Sequence, residues 1–331
     1  MDEYCTTLIS ALTPHIPRWT FLKLDLSGQG QLSALFQSLP FVSAVQLKTV
    51  EFVSPPDVER EKTMVALIAR LPSLERLIWD SRAPPDVTRQ LVEFPYRKLI
   101  HANLYWSLSW TKMFPVIQRL QNAVTAILWS RLPYGLPNSH VPSWNPDHRV
   151  VVQNLAVLHV STTTPDVLFL IANLEAQNLR VLNIEVNESF GVQDISDCYY
   201  KLAIFLGFYD LFHYIGFFRL HVSGVLPAEI VPEILKACQR SFMSSVEIIM
   251  DEGDWDKSVE RKVRREMANQ EDVEMYGEVP FHIIPAGEDG FVRLGWYDPE
   301  DVAECLRSFR EIPHFELGGF QFNPELNTSD H

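Results

Sequence analysis

Two of the chain's ten histidines, His159 and His221, stand at the centre of the same apolar word, Leu-His-Val, at 158 to 160 and 220 to 222. Imidazole is the commonest metal ligand and moves protons readily near neutral pH, so this pair is the first candidate for chemistry. Asn183 fills the equivalent place in an intervening run, Leu-Asn-Ile. If each run is a strand, the two rings lie two strand spacings apart, each roughly 4.8 Å. A shared zinc ion would need both rings to lean together and recruit further ligands. The expectation is therefore two solvated histidines on a sheet face, with no metal and no cofactor. With 42 carboxylates in the chain, chance proximity of titratable groups is common, and no residue is singled out as catalytic.

Other chemical signatures are missing. HExxH, GxSxG and P-loop spacings do not occur. The stretch "DLSGQGQLSAL" supplies Gly28 and Gly30 but not the third glycine of a dinucleotide-binding turn, and Ala34 reaches that place only if the spacing is stretched by one residue. Cys5, Cys198, Cys238 and Cys305 are far apart and form no CxxC pair, which fits free buried thiols in a reducing compartment. Lys and Arg are outnumbered 28 to 42 by Asp and Glu, for a net charge of −14. That balance disfavours nucleic acid and anionic membranes. The basic word "VERKVRRE" at 259 to 266 lies between acidic neighbours and reads as a salt-laced exposed helix. No basic n-region precedes an apolar core at the N-terminus. The most apolar stretch, 199 to 218, is interrupted by Lys201, Asp210 and His213, so it reads as a buried helix or insertion. The expected location is the cytoplasm or the nucleus.

The elements that would position any site recur along the chain. Apolar–x–apolar triplets centre on Asp25, Glu51, Ile78, Asn103, Ile127, His159, Asn183, His221 and Glu247, with steps of 26, 27, 25, 24, 32, 24, 38 and 26. Six of the eight steps lie between 24 and 27, within the period of leucine-rich repeats. Leu71, Leu74, Leu77 and Trp79 carry more of the L-x-x-L-x-L signature, as do Leu179, Leu182 and Ile184, and Leu155, Leu158 and Val160. The long steps hold insertions near 132–149 and 189–200. Helical spacing is read over 57–72 and 227–239, and "PPDV" recurs at 55 to 58 and 84 to 87 where helices should begin.

One strand–helix unit cannot cover its own apolar face, but a stack of units can. The predicted fold is thus α/β, a leucine-rich-repeat-like solenoid: a curved parallel sheet with helices on the convex side. Residues 1–250 would form about nine irregular units. Residues 251–331 would supply a charged linker helix and a capping region with two strands, a Gly-containing turn and a helix carrying Val302, Cys305 and Leu306 inward.

Alternation sends each triplet centre, and the residue two further on, to the concave surface. Most such residues are polar or small. Ile78, Tyr105, Ile127 and Trp129 break the rule in adjacent units, and contiguous apolar groups of this kind mark interaction sites. The expected site is therefore a protein-binding patch on these four residues with Asp25 and Glu51 as an acidic rim, or else a face covered by the 132–149 insertion.

At "HIPRWTFLKLDLS" the chain resembles the leucine-rich-repeat portion of the F-box-like proteins of mushroom-forming fungi. Leu12, His15, Arg18, Trp19, Leu22 and Leu24 carry the likeness, which extends loosely over residues 5 to 250. In that family the F-box recruits a ubiquitin-ligase scaffold and the repeats hold the substrate. Only about ten residues precede the matching word here, so the resemblance implies the holding half without the F-box, and no contact with the scaffold is expected. The leading expectation is a non-enzymatic protein–protein interaction module whose partner is another protein. The alternatives are an α/β enzyme with an unrecognised site, or a scaffold with no retained partner.

Overall fold

The computed structural model describes residues 3–26, 38–53, 57–81, 94–106, 110–130, 150–163, 171, 173–187, 195–207, 215–227, 229–241, 243–268 and 281–296. They form an α/β protein built on a large, mostly parallel sheet. In chain order its strands are β1 (Phe21–Asp25), β2 (Thr49–Val53), β3 (Arg76–Asp80), β4 (His101–Trp106), β5 (Thr125–Ser130), β7 (Val157–Thr162), β9 (Val181–Asn187), β10 (Phe217–Ser223) and β11 (Ser245–Asp251). All nine are parallel, and each pairs with the strand before it in this series. The short strands β6 (Val150–Val151) and β8 (Leu174–Glu175) form a separate parallel pair.

The nine strands repeat down to their hydrogen bonds. Before each strand of the parallel series from β1 to β9, one backbone carbonyl accepts two N–H groups from the next unit. Thr20 takes Lys48 and Thr49, Lys48 takes Glu75 and Arg76, Glu75 takes Ile100 and His101, and the pattern continues to Arg180, which takes Gly216 and Phe217. Polar side chains reinforce the same corner. Ser73 donates to the Val45 carbonyl at 2.7 Å, Asn122 to Arg97 at 2.6 Å, Asn154 to Gln121 at 3.0 Å and Asn178 to Gln153 at 2.7 Å. The turn carbonyls that no helix or strand can use are thereby satisfied.

This ladder corrects two of the expected centres. In register, the central row is Lys23, Glu51, Ile78, Asn103, Ile127, His159, Asn183, Arg219 and Glu247. Asp25 and His221 belong instead to the second row, with Val53, Asp80, Tyr105, Trp129, Ser161, Glu185 and Ile249. A slip of two residues leaves a side chain on the same face, so alternation alone gave no sign of it. In the first unit the register places Leu22 and Leu24 beside Val50 and Phe52, and Trp19 packs edge-on against Phe41 at 6.5 Å.

The opposite face carries the core. Val50, Phe52, Leu77, Trp79, Leu104, Leu158, Ile184 and Leu220 are buried in one cluster with residues of the helices. Helix α1 (Glu3–Leu12) precedes β1, and α2 (Val58–Ala69) contributes Met64, Val65 and Ile68 to the cluster. The Asp57 carboxylate caps α2 by accepting from the Arg60 N–H at 2.9 Å, which satisfies one of the donors that a helix start leaves open. Helix α3 (Trp110–Ile117) leads to β5. Helix α4 (Ile195–Leu206) begins inside the second expected insertion, and α5 (Val231–Arg240) packs beside it with Ile234, Leu235 and Cys238 inward. The apolar stretch at 199 to 218 therefore splits between α4 and β10, and no helix among the described residues is long and apolar enough to cross a membrane.

Helix α6 (Lys257–Ala268) is the expected salt-laced helix. Val263 and Met267 are buried, Arg264 pairs with Glu260 at 2.9 Å, and Glu266 accepts from Lys236 of α5 at 2.8 Å. Strands β12 (His282–Ile284) and β13 (Phe291–Trp296) form an antiparallel hairpin, and β13 lies antiparallel on β11, so the same sheet continues past the parallel series. Gly295 has φ 146°, and a Cβ there would run into the Val246 carbonyl of β11. Only glycine fits this close approach. The insertion at 132–149, the second "PPDV" word and Val302, Cys305 and Leu306 lie outside the described residues.

Candidate functional site

The two polar rows share one sheet face, but they are not uniformly solvated. On β1 to β4, Asp25 is exposed and Glu51, Ile78, Asp80, Asn103 and Tyr105 are half-buried. From β5 onward the rows sink. Ile127, His159, Ser161, Asn183, Glu185, Arg219 and Ile249 are all buried, while Trp129, His221 and Glu247 are half-buried. The expected solvated pair of histidines is thus corrected. His159 is 4% exposed and His221 is half-buried.

The expected aromatic patch is assembled on adjacent strands. The register aligns Ile78 with Asn103 and Ile127, and Asp80 with Tyr105 and Trp129. The Tyr105 and Trp129 rings lie 5.4 Å apart at 31°. Ile127 is buried, so it is less available to a partner than the sequence implied. The acidic rim is also altered. Glu51 is paired with Lys23, a residue that the misplaced first centre had hidden, and Asp25 lies one row over from Glu51.

Beyond Trp129 the face becomes a polar network that the sequence did not assign. The His159 ring stacks on Trp129 at 5.6 Å. Asn183 and the His159 Nδ1 are 2.7 Å apart. With the amide N–H donating, as placed, the imidazole is neutral and carries its proton on Nε2. Among the described residues that Nε2 has no hydrogen-bond partner, lying 3.8 Å from Glu185 Oε2, and none is found for Asn183 Oδ1. Ser161 hydrogen-bonds Glu185 and accepts from the Asn187 amide at 3.1 Å. Arg219 Nε stands 3.1 Å from Glu247 Oε2. His221 packs edge-on against Phe291 of the hairpin at 4.9 Å.

Burial dominates the electrostatics. It pushes the His159 pKa down to about 3, helped by the nearby Arg219 charge. His221 falls to about 4 for the same reason, with Arg219 and Arg293 adding to it. Glu185 is raised by burial, and Arg219 and the Ser161 hydrogen bond only partly offset this. Burial lowers Arg219, with Glu247 and Glu185 opposing.

The cluster does not amount to a nucleophile–base pair. Ser161 bonds Glu185 rather than His159, and an imidazole this hard to protonate is a weak proton acceptor. Among the described residues no three His, Cys, Asp or Glu side chains are placed to hold a metal ion. What the arrangement can do is hold two strands in register and present a polar, hydrogen-bonding floor. Neither models of known protein families nor curated protein sequences match the chain.

Proposed function

We propose that this chain is a non-enzymatic protein-binding module, a leucine-rich-repeat-like solenoid whose curved sheet presents the Tyr105 and Trp129 patch to another protein. The observation that supports it most is the sheet order. Nine parallel strands follow each other in sequence, so a single face lines up side chains from nine units, a geometry suited to long, shallow contact surfaces. Half-buried Tyr and Trp rings stacked on neighbouring strands suit an interface anchor. The resemblance to fungal F-box-like proteins extends the proposal to a substrate-receptor type of role in the cytoplasm or nucleus.

The test is affinity capture with the wild-type chain and with Tyr105→Ala plus Trp129→Ala, together with thermal unfolding of both. A specific protein lost from the double variant at an unchanged midpoint supports the reading. A collapsed midpoint would show that the rings are core, and an unchanged captured set would retire the patch. Blotting the captured material for ligase scaffold subunits tests the receptor role separately.

A further inference from the structure

We propose that the outward face of α6 is a second interaction surface, which takes the carboxylates of an extended acidic segment on a partner protein. The helix packs by Val263 and Met267, which are buried. At helical spacing, the side opposite that seam carries Lys257, Arg261, Arg264 and Arg265, with Lys262 at one flank. All five are exposed. Glu260 and Glu266, the two carboxylates of the helix, stand instead at the shoulders of the seam and are half-buried. Both are engaged: Glu260 accepts from Arg264 at 2.9 Å, while Glu266 accepts from Lys236 of α5 at 2.8 Å and lies 3.7 Å from Arg265. Lys257 and Arg261 form no ion pair with any described residue. Two acids ahead of the helix are held by backbone. Asp251 accepts the Gly253 N–H at 2.9 Å, and Asp256 accepts those of Ser258 and Val259 at 2.6 and 2.8 Å.

Spacing and charge name the occupant. Lys257, Arg261 and Arg265 follow each other at steps of about 6 Å along the helix axis. Side chains on one side of an extended chain recur every second residue, about 6.6 Å apart, so carboxylates in that pattern meet successive cations. The guanidinium forks of Arg261 and Arg265 match carboxylates with paired hydrogen bonds. The helix holds five cations against two carboxylates on a chain whose net charge is −14. A long nucleic acid would be repelled by the rest of such a molecule, whereas a short acidic segment need meet only a helix about 18 Å long. A lipid surface fits less well, because no apolar side chain described on α6 is exposed to enter it.

The probe is a fluorescent twelve-residue peptide of alternating Glu and Ser, titrated at one fixed low ionic strength. It is tested against the wild type, Lys257→Gln with Arg261→Gln, and Arg70→Gln with Arg97→Gln, a remote exposed pair that removes the same charge. Loss of two charge-assisted contacts predicts about tenfold weaker binding for the α6 pair, and the remote pair should bind nearly as the wild type does. Equal losses in the two would reduce the effect to the general field of the chain and overturn the proposal, as would no loss in either. Both pairs are exposed and should keep the wild-type thermal midpoint; should the α6 pair unfold, Lys262→Gln with Arg265→Gln reads the same face. Oligo(dT) of twelve residues and vesicles containing phosphatidylserine should bind more weakly than the peptide. Either one binding more tightly, and losing that binding in the α6 pair, would give the face to phosphate groups and overturn the acidic-segment assignment.

Discussion

On β1 the central row meets water: the Lys23 side chain is 60% exposed, and it pairs with half-buried Glu51 of β2, whose side chain is 18% exposed. On β10 and β11 the same row holds Arg219 and Glu247, also a cation and a carboxylate in register, with side chains only 10% and 16% exposed. The residue types match and the carboxylates are about equally buried, but the cations are not. A surface pair is screened and contributes little. A buried pair has given up its hydration, so each partner depends on the other. One structural ladder thus runs from a more open half on β1 to β4 to a buried half from β5 onward.

Breaking the covered pair should give the largest effect. Arg219→Ala leaves Glu247 and Glu185 without their neighbouring cation, and the expected loss is about 3–5 kcal/mol in denaturant unfolding. Lys23→Ala should cost at most about 1 kcal/mol. Similar losses for the two would erase the distinction between the halves.

Close behind is the β11–β13 contact. Gly295→Ala should destabilise by more than about 1 kcal/mol, since the backbone conformation and the Val246 carbonyl both exclude a Cβ. Native-state hydrogen exchange should show the protection lost first on β13 and β11 rather than on β1 to β4.

Acid should sharpen the same contrast. The folded pKa of His159 is lowered to about 3 from an ordinary value of 6.5, so protonation favours the unfolded chain. Its contribution is fully present above pH 6.5 and is lost as the pH falls from there toward 3. Relative to His159→Gln, the wild type should lose about 2 kcal/mol more between pH 6.5 and 5. Parallel pH profiles for the two proteins would show that His159 is not held neutral. Asn103→Ala, the same row on the open half, should shift stability by no more than about 0.5 kcal/mol.

Much of this was legible in the chain. Leu71, Leu74, Leu77 and Trp79 recur as Leu179, Leu182 and Ile184 because every unit must bury the same positions against its neighbours, and that demand writes the parallel series, the core face and the Tyr105–Trp129 neighbourhood into the sequence. The acidic start of α2, with Asp57 before it, was equally plain, since a helix N-terminus asks for such a residue. Lys23 and Arg219 were missed because a slip of two residues keeps the face and changes only the rung, which the bifurcated turn carbonyls decide. The polar network was missed for a different reason. His159, Asn183, Glu185 and Arg219 are ordinary residues for a wet sheet face, and sequence periodicity tells which side of a strand a residue takes, never what lies over that side.

The sequence by itself determined that apolar residues alternate in recurring runs, and hence that strands stack in chain order with one face apolar, because period and burial are local demands repeated in every unit. Only the tertiary structure decided which rungs align and where water is excluded along the opposite face. Those outcomes depend on hydrogen bonds and contacts between residues far apart in the chain, so a cation of the same row is a surface group on β1 and a buried one on β10.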